Sequence, residues 1–196
     1  MPLLAALASG DAASCVFDYS FGAECPPCKA FGKTLKQIYA ADGIAEACTW
    51  EFTHAIRTAG DPTTDTAYSC PDEPTGCAAS TGWMVCAFDN AQSVKQKVDF
   101  LTCWDESQNP SSCASAAGID FGAMSTCHSG SRSAELRKAA AIKFENKWPE
   151  NAHSGIYHVP HVLANGKDMD TTTYSAIIKQ LCSSGISAGA CGTTVV

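Results

Sequence analysis

Cys25-Pro26-Pro27-Cys28 lies where a strand pattern gives way to a helix pattern, and this stretch predicts the fold. Residues 15–21 (CVFDYSF) are rich in the aromatic and β-branched side chains that are typical of a strand. Residues 29–40 follow with apolar side chains at helical spacing, namely Phe31, Leu35, Ile38 and Tyr39. The two prolines fit the first helical turn, where a missing N–H leaves no hydrogen bond unmade. The sequence therefore predicts that Cys25 lies between a strand and a helix.

This position gives the two cysteines a redox chemistry. The free amides and the dipole at a helix N-terminus favour an anion, so a Cys25 thiolate is stabilised there and its pKa is lowered. Cys28, one turn later on the same face, can resolve a mixed disulfide, and this chemistry needs no organic cofactor and no metal. A structural disulfide or half of a zinc site are the alternatives. The chain has no second C-x-x-C to complete four zinc ligands.

The cysteine count places the chain in an oxidising compartment. The 196 residues include twelve cysteines and carry a net charge of −7. Twelve irregularly spaced cysteines indicate structural disulfides together with one active pair. The negative charge argues against a nucleic acid or an anionic membrane as partner, and no segment is long enough to be a transmembrane helix.

The N-terminal residues allow two interpretations. Residues 2–8 are apolar and end in Ala6-Leu7-Ala8, which matches the cleavage pattern of a translocation signal, although no basic segment precedes them. An N-terminal docking arm is the alternative. The chain also contains no Asn-x-Ser/Thr acceptor for N-glycosylation, so a glycan-borne sorting signal is not expected.

Sequence patterns predict an α/β protein consisting of one domain over residues 1–196. A βαβ half covers 15–56, a mostly helical insert covers 57–155, a ββα half covers 156–182, and a tail covers 183–196. Within the insert, residues 57–74 are predicted to be loop. The insert helices are predicted at 78–89, 92–104, 111–117, 120–127 and 132–148, the last with Ser131 as its cap. In the second half, Asn165-Gly166 predicts a hairpin turn.

Without the insert, the order of these elements resembles the thioredoxin fold. In that fold a cis-proline opens the strand after the crossover and packs against the C-x-x-C, and the backbone beside it holds an extended substrate. The resemblance assigns this role to Val159 and Pro160. His161 follows them, and two interpretations stay open: it faces Cys25 and tunes the thiolate, or it is a surface residue.

A narrower resemblance is to the gamma-interferon-inducible lysosomal thiol reductase (GILT) family. Its features matched here are the C-x-x-C, the cysteine spacing of residues 70–77, the later insert cysteines, the V-P-x-x-x-x-N-G stretch at 159–166 and two late cysteines. The His-Gly that the family carries between its first two insert cysteines is missing. The matched cysteines beyond the active pair are Cys70, Cys77, Cys86, Cys103, Cys113, Cys127, Cys182 and Cys191. The resemblance implies a disulfide reductase that acts on proteins or peptides.

Two of the structural disulfides can be predicted. Cys15 and Cys48 each precede a predicted parallel strand, and neighbouring strands are about 5 Å apart, so these cysteines are expected to pair. Cys182 and Cys191 close a short loop and are also expected to pair. The remaining six insert cysteines allow 15 connectivities, between which the sequence does not choose.

Two functions therefore stay open. The first is a thiol–disulfide oxidoreductase, with reduction favoured by the family resemblance, in a secretory, lysosomal or extracellular setting. The second is a non-catalytic subunit of a larger assembly that keeps the fold for its surface, for example in an organelle lumen such as the thylakoid. The loss of the His-Gly and the absence of a glycosylation acceptor favour the second function.

Overall fold

The computed structural model of the protein describes residues 15–58, 60–61, 63, 68–70, 72–149, 159–171 and 173–192. The predictions for the N-terminal residues 1–14, and for a strand beginning at 156, lie outside these ranges. In the first half, the elements are β1 (Cys15–Phe21), α1 (Pro26–Ala40), α2 (Ile44–Ala47) and β2 (Cys48–His54). In the second half, they are β5 (His161–Ala164), β6 (Lys167–Asp168), α8 (Tyr174–Ser183) and α9 (Gly189–Gly192).

In the described part of the chain, the main sheet has four strands in the order β2-β1-β5-β6. Strands β1 and β2 are parallel, whereas β5 is antiparallel to β1 and β6 is antiparallel to β5. The Asn165-Gly166 turn joins β5 to β6, and both residues have positive φ, as the predicted hairpin requires. The predicted order of a βαβ half, a helical insert and a ββα half is therefore confirmed.

The alternation of side chains along β1 gives the sheet two differently covered faces. Tyr19 points to α1, where its ring centroid is 5.2 Å from that of Phe31. Ser20 points to the opposite face and accepts a 3.0 Å hydrogen bond from the indole Nε1 of Trp148, at the end of an insert helix. On this second face, Asp18 forms an ion pair with Lys147. The sheet thus lies between α1 and the last part of the insert.

The insert contains two short strands and five helices among its described residues. They are β3 (Arg57–Thr58), β4 (Tyr68–Ser69), α3 (Ser80–Asn90), α4 (Val94–Ser107), α5 (Pro110–Ala117), α6 (Phe121–Ser129) and α7 (Ser131–Lys147). The helices agree with the predicted ranges within a few residues, because Ser93, Asn109 and Asp120 cap their first turns.

Two details of the insert prediction were wrong. The segment predicted as loop contains the antiparallel pair β3–β4, whose strands are too short to give a periodic pattern. Ser131 is the first residue of α7 rather than its cap; Gly130 takes the cap position and makes no side-chain hydrogen bond there.

All twelve cysteines lie among the described residues and form six disulfides. The predicted pairs Cys15–Cys48 and Cys182–Cys191 are present, and Cys25 is bonded to Cys28. The six insert cysteines, whose connectivity the sequence left open, pair as Cys70–Cys77, Cys86–Cys127 and Cys103–Cys113. Cys86–Cys127 links α3 to α6 and Cys103–Cys113 links α4 to α5, whereas Cys70–Cys77 closes a loop between β4 and α3.

The disulfide between β1 and β2 is expected to stabilise the fold more than the one near the C-terminus. Cys15–Cys48 spans 33 residues and Cys182–Cys191 spans 9, so the first removes more chain entropy from the unfolded state. Chain-entropy arguments give about 4 kcal/mol for the first and about 3 kcal/mol for the second. Chemical denaturation measures the loss in the free energy of unfolding for two double variants, Cys15→Ala/Cys48→Ala and Cys182→Ala/Cys191→Ala. The first variant should lose more, and an equal or reversed loss would contradict this order.

Candidate active site

The C-x-x-C begins helix α1, as the sequence predicted. Cys25 is the N-cap residue, with extended backbone, and Pro26 and Pro27 occupy the first helical positions. The backbone N–H of Cys28 donates a hydrogen bond to Sγ of Cys25 at 3.3 Å. A sulfur that carries a negative charge at this position is stabilised by this N–H and by the helix dipole.

The strand after the insert brings a second backbone segment to the same sulfur. Sγ of Cys25 lies 3.6 Å from the carbonyl oxygen of Val159. The Val159–Pro160 peptide bond is cis, as expected from the thioredoxin resemblance. Strand β5 starts immediately afterwards and pairs with β1, which leads into the C-x-x-C. The sheet pairing therefore places Cys25 and Val159, which are distant in sequence, in contact.

His161 does not take the position that its tuning role would need. It pairs with Ser20 across the strands, on the face that α7 covers, and its ring stacks on Trp148 with centroids 4.0 Å apart. Its Nε2 is bonded to the carboxylate of Asp168 on β6. The alternation of side chains along β5 thus directs this imidazole away from the α1 face of the sheet. The interpretation that His161 tunes Cys25 is not supported.

Both sulfurs of the pair are buried in the disulfide-bonded state. Cys25 is 1% exposed and Cys28 is 2% exposed. The C-x-x-C pattern alone leaves the exposure of its first cysteine open. Burial depends on residues that approach the pair in space, such as Val159, whose carbonyl oxygen contacts Sγ of Cys25, and a local sequence motif does not contain that information.

The insert contributes polar groups beside Cys25 that sequence patterns did not reveal. The carboxylate of Glu24 accepts a hydrogen bond from the hydroxyl of Ser80, the first residue of α3. Glu73 accepts one from the backbone N–H of Thr81 at 3.0 Å. Burial raises the pKa of Glu73, and the nearby Glu24 adds to this rise. The carboxyl groups of Glu24 and Glu73 therefore lie near each other, and Glu24 directly precedes Cys25 in the chain.

A buried carboxyl from the insert also lies along α1. Asp105, on α4, fits against Gly32, where the carboxylate fills the space that a Cβ would take. Burial raises the pKa of Asp105 to about 7, and its Oδ2 has no hydrogen-bond partner within the described ranges. Burial and the nearby Asp105 both raise the pKa of Tyr19, whose hydroxyl donates to the carbonyl oxygen of Cys28 at 3.4 Å. The charge of Asp105 thus acts close to the redox pair.

The described residues form neither a metal-binding cluster nor a membrane-spanning helix. Across the residues that the structure describes, no group of three or more His, Cys, Asp and Glu side chains is arranged to hold a metal ion. No helix in these ranges has the length and apolar character needed to cross a membrane.

Comparisons with known proteins identify the fold. No family model and no curated protein matches the chain. Among solved structures, DsbA from Chlamydia trachomatis has a TM-score of 0.59 at 11% identity, over 88% of this chain and 87% of its own. Oxidised BdbD from Bacillus subtilis has a TM-score of 0.56 at 13% identity, over 89% of each chain. Oxidoreductase DsbA from Xylella fastidiosa has a TM-score of 0.52 at 14% identity, over 88% and 84%.

These similarities show a thioredoxin-like fold with a helical insert of the DsbA type. The fold class predicted from the sequence is therefore confirmed. The narrower resemblance to the GILT family receives no support from the comparisons. At these identities the similarity concerns the fold, and the function rests on the site itself.

Asp105 is expected to make the protein less stable as the pH rises. Its folded-state pKa of about 7 lies above the ordinary value of 3.8, so the folded protein binds this proton more tightly than the unfolded chain does. The contribution of this group to the free energy of unfolding therefore decreases as the pH rises from about 4 to about 7. Asp105→Asn should be more stable than the wild type by about 2–4 kcal/mol at pH 8 and by much less at pH 4.

Urea denaturation at both pH values measures this difference. Glu46→Gln, which removes a charge from an exposed residue on α2 that does not act on Asp105, is the control and should give the same small effect at both. A stability difference for Asp105→Asn that does not change with pH would contradict the assignment.

Proposed function

We propose that the protein is a thiol–disulfide oxidoreductase that reduces disulfides in proteins or peptides. The observation that carries this proposal is the position of Cys25. Its sulfur lies at the N-terminus of α1, bonded to Cys28, and 3.6 Å from the backbone carbonyl of Val159. A reactive sulfur beside the backbone that leads into a strand can bind an extended polypeptide and attack its disulfide.

The reaction uses only groups of this chain and of the substrate. The Cys25 thiolate attacks one sulfur of the substrate disulfide, and the other substrate sulfur leaves as a thiolate. Cys28 then attacks Sγ of Cys25, the second substrate thiolate leaves, and the Cys25–Cys28 disulfide forms. The substrate gains two electrons, which an external dithiol later returns to the pair. No metal or organic cofactor takes part.

The substrate-binding role proposed for Val159, Pro160 and His161 is a backbone role. The side chain of His161 is already engaged by Asp168 and Trp148, so it is not available to recognise the substrate. Because Cys25 is 1% exposed, its surroundings must also move before a substrate sulfur can reach it. Opening of the site is therefore a step of the proposed cycle.

Reduction is the direction that the surroundings of Cys25 favour. The carboxylate of Glu24, the residue before Cys25, is bonded to Ser80 of the insert, and Glu24 contributes to the raised pKa of the insert residue Glu73. Negative charges oppose a thiolate at Cys25, and a less stabilised thiolate makes the reduced pair a better electron donor. The sequence resemblance to the GILT reductases supports the same direction.

An oxidising compartment suits a chain whose twelve cysteines are all bonded. A secretory, lysosomal or extracellular location is proposed on this ground, and the lumen of an organelle such as the thylakoid would serve equally.

One observation favours a second candidate function. Both sulfurs of the C-x-x-C are buried, with exposures of 1% and 2%. A pair that never opens would be a structural disulfide, and the chain would then act as a non-catalytic subunit that binds partners in a larger assembly. Turnover measurements separate the two candidates.

The first prediction of the proposed function concerns turnover. Wild-type protein should reduce insulin disulfides with a dithiol as electron donor, and Cys25→Ser should abolish this activity because the attacking sulfur is gone. Cys182→Ala/Cys191→Ala, which removes a disulfide outside the site, is the control and should keep most of the activity. No turnover by the wild type would favour the structural subunit.

The second prediction concerns the intermediate. Cys28→Ser keeps the attacking thiol but has no group to resolve the mixed disulfide. It should therefore accumulate a covalent complex with insulin chains, visible on a non-reducing gel and released by excess dithiol. A Cys28→Ser protein that turns over like the wild type would show that another cysteine resolves the complex.

A further inference from the structure

The disulfide Cys103–Cys113 differs from the others in how its two cysteines are exposed. Cys113 is completely buried, with 0% exposure, whereas Cys103 is partly exposed. The bond joins α4 to α5 at a separation of 10 residues. One accessible and one buried sulfur is the arrangement in which an external thiol can attack the first and release the second. The Cys25–Cys28 pair lacks this asymmetry in the same structure.

Cys103 lines an open groove of about 890 Å³ between α1 and α4. Four lysines line this groove as well, three from α1 and one from α4: Lys29, Lys33, Lys36 and Lys95. The groove also contains Asp99, Asp105 and Glu106. The chain carries thirteen basic residues in total, so almost a third of them gather here in a protein whose net charge is −7.

The carboxylates of the groove leave it a positive charge. Asp99 forms an ion pair with Lys95. Burial raises the pKa of Asp105 to about 7, so its negative charge is incomplete at neutral pH. Glu106 shares the groove with Lys29, Lys33 and Lys36. Within the described ranges, Lys33 and Lys36 form no ion pair. Such a groove attracts small anions.

The buried partner is a suitable leaving group. Sγ of Cys113 lies 3.3 Å from the hydroxyl oxygen of Ser107, which is also 3.6 Å from Sγ of Cys103. The hydroxyl is close to the carbonyl oxygen of Cys103 as well, at 3.1 Å, and can turn from this acceptor to a charged sulfur.

We propose that Cys103–Cys113 is a second thiol-exchange site, which reacts with an anionic low-molecular-mass thiol. The thiolate of this molecule attacks Sγ of Cys103, the bond to Cys113 breaks, and Cys113 leaves as a thiolate that takes up a proton. A mixed disulfide remains on Cys103. A second molecule of the thiol then attacks the sulfur of the small molecule in this adduct. The bond to Cys103 breaks, and Cys103 takes up a proton and becomes a thiol. Two thiols are oxidised to one disulfide, and the protein disulfide gains two electrons.

Glutathione is the probe, since it is an anionic thiol, and 2-mercaptoethanol is its neutral counterpart. Wild-type protein is incubated with each thiol at pH 7 and low salt, quenched with acid and alkylated. Peptide mass spectrometry then measures, cysteine by cysteine, the rate of adduct formation. Cys182–Cys191 is the matched control, because both of its sulfurs are partly exposed and neither lines the groove.

Glutathione should form an adduct on Cys103 at least about tenfold faster than on Cys182 or Cys191, a ratio within the range of electrostatic rate enhancement. Lys33→Gln/Lys36→Gln should slow the glutathione reaction about threefold or more and leave the 2-mercaptoethanol reaction unchanged, and added salt should mimic the substitution. Equal adduct rates on the two disulfides, or equal slowing of both thiols in the lysine variant, would overturn the proposal.

The measurement does not depend on the function proposed for Cys25 and Cys28. The same adduct should form on Cys103 in Cys25→Ser/Cys28→Ser, because the thiol attacks Cys103 directly. Loss of the adduct in this variant would overturn direct attack. Failure of insulin reduction, in contrast, would leave the Cys103 result unaffected.

Discussion

Helix α1 begins at Cys25, and the hydrogen bond from the N–H of Cys28 to the Cys25 sulfur satisfies one of the amides that every helix start leaves without a partner. The same sulfur contacts the carbonyl oxygen of Val159. Both contacts depend on the sheet: β1 delivers the chain to Cys25, and β5, antiparallel to β1, carries Val159 and Pro160 to it. A change in strand register would therefore separate the two parts of the site.

The helical insert does more than cover the sheet. Through Ser80 it holds Glu24 beside the redox pair, and through Asp105 it places a buried carboxyl against Gly32 of α1. Trp148, at its end, fixes the stacked His161 on the other face of the sheet. The electrostatic surroundings of Cys25 and Cys28 thus come largely from the insert, whose helices are joined to one another by their own disulfides.

Local patterns in the sequence predicted the elements and the redox pair, because strand composition, helical spacing, the two prolines and Asn165-Gly166 act over a few residues. The Cys15–Cys48 bond was also predictable, since it follows from two parallel strands. The roles of Ser80 and Asp105 could not be predicted, because their partners, Glu24 and Gly32, are far away in sequence and meet only through helix packing. The burial of Cys25 could not be predicted for the same reason.

The central claim is that the Cys25–Cys28 pair is a working redox site although its sulfurs are buried in the oxidised state. The most direct test is the rate at which iodoacetamide modifies Cys25 in the reduced, folded protein, measured against pH and compared with the rate of global unfolding. A working site predicts modification of Cys25 faster than unfolding and at a pH below the ordinary thiol pKa of about 8.5, with Cys28 protected. Modification of both cysteines only at the rate of unfolding would contradict the claim.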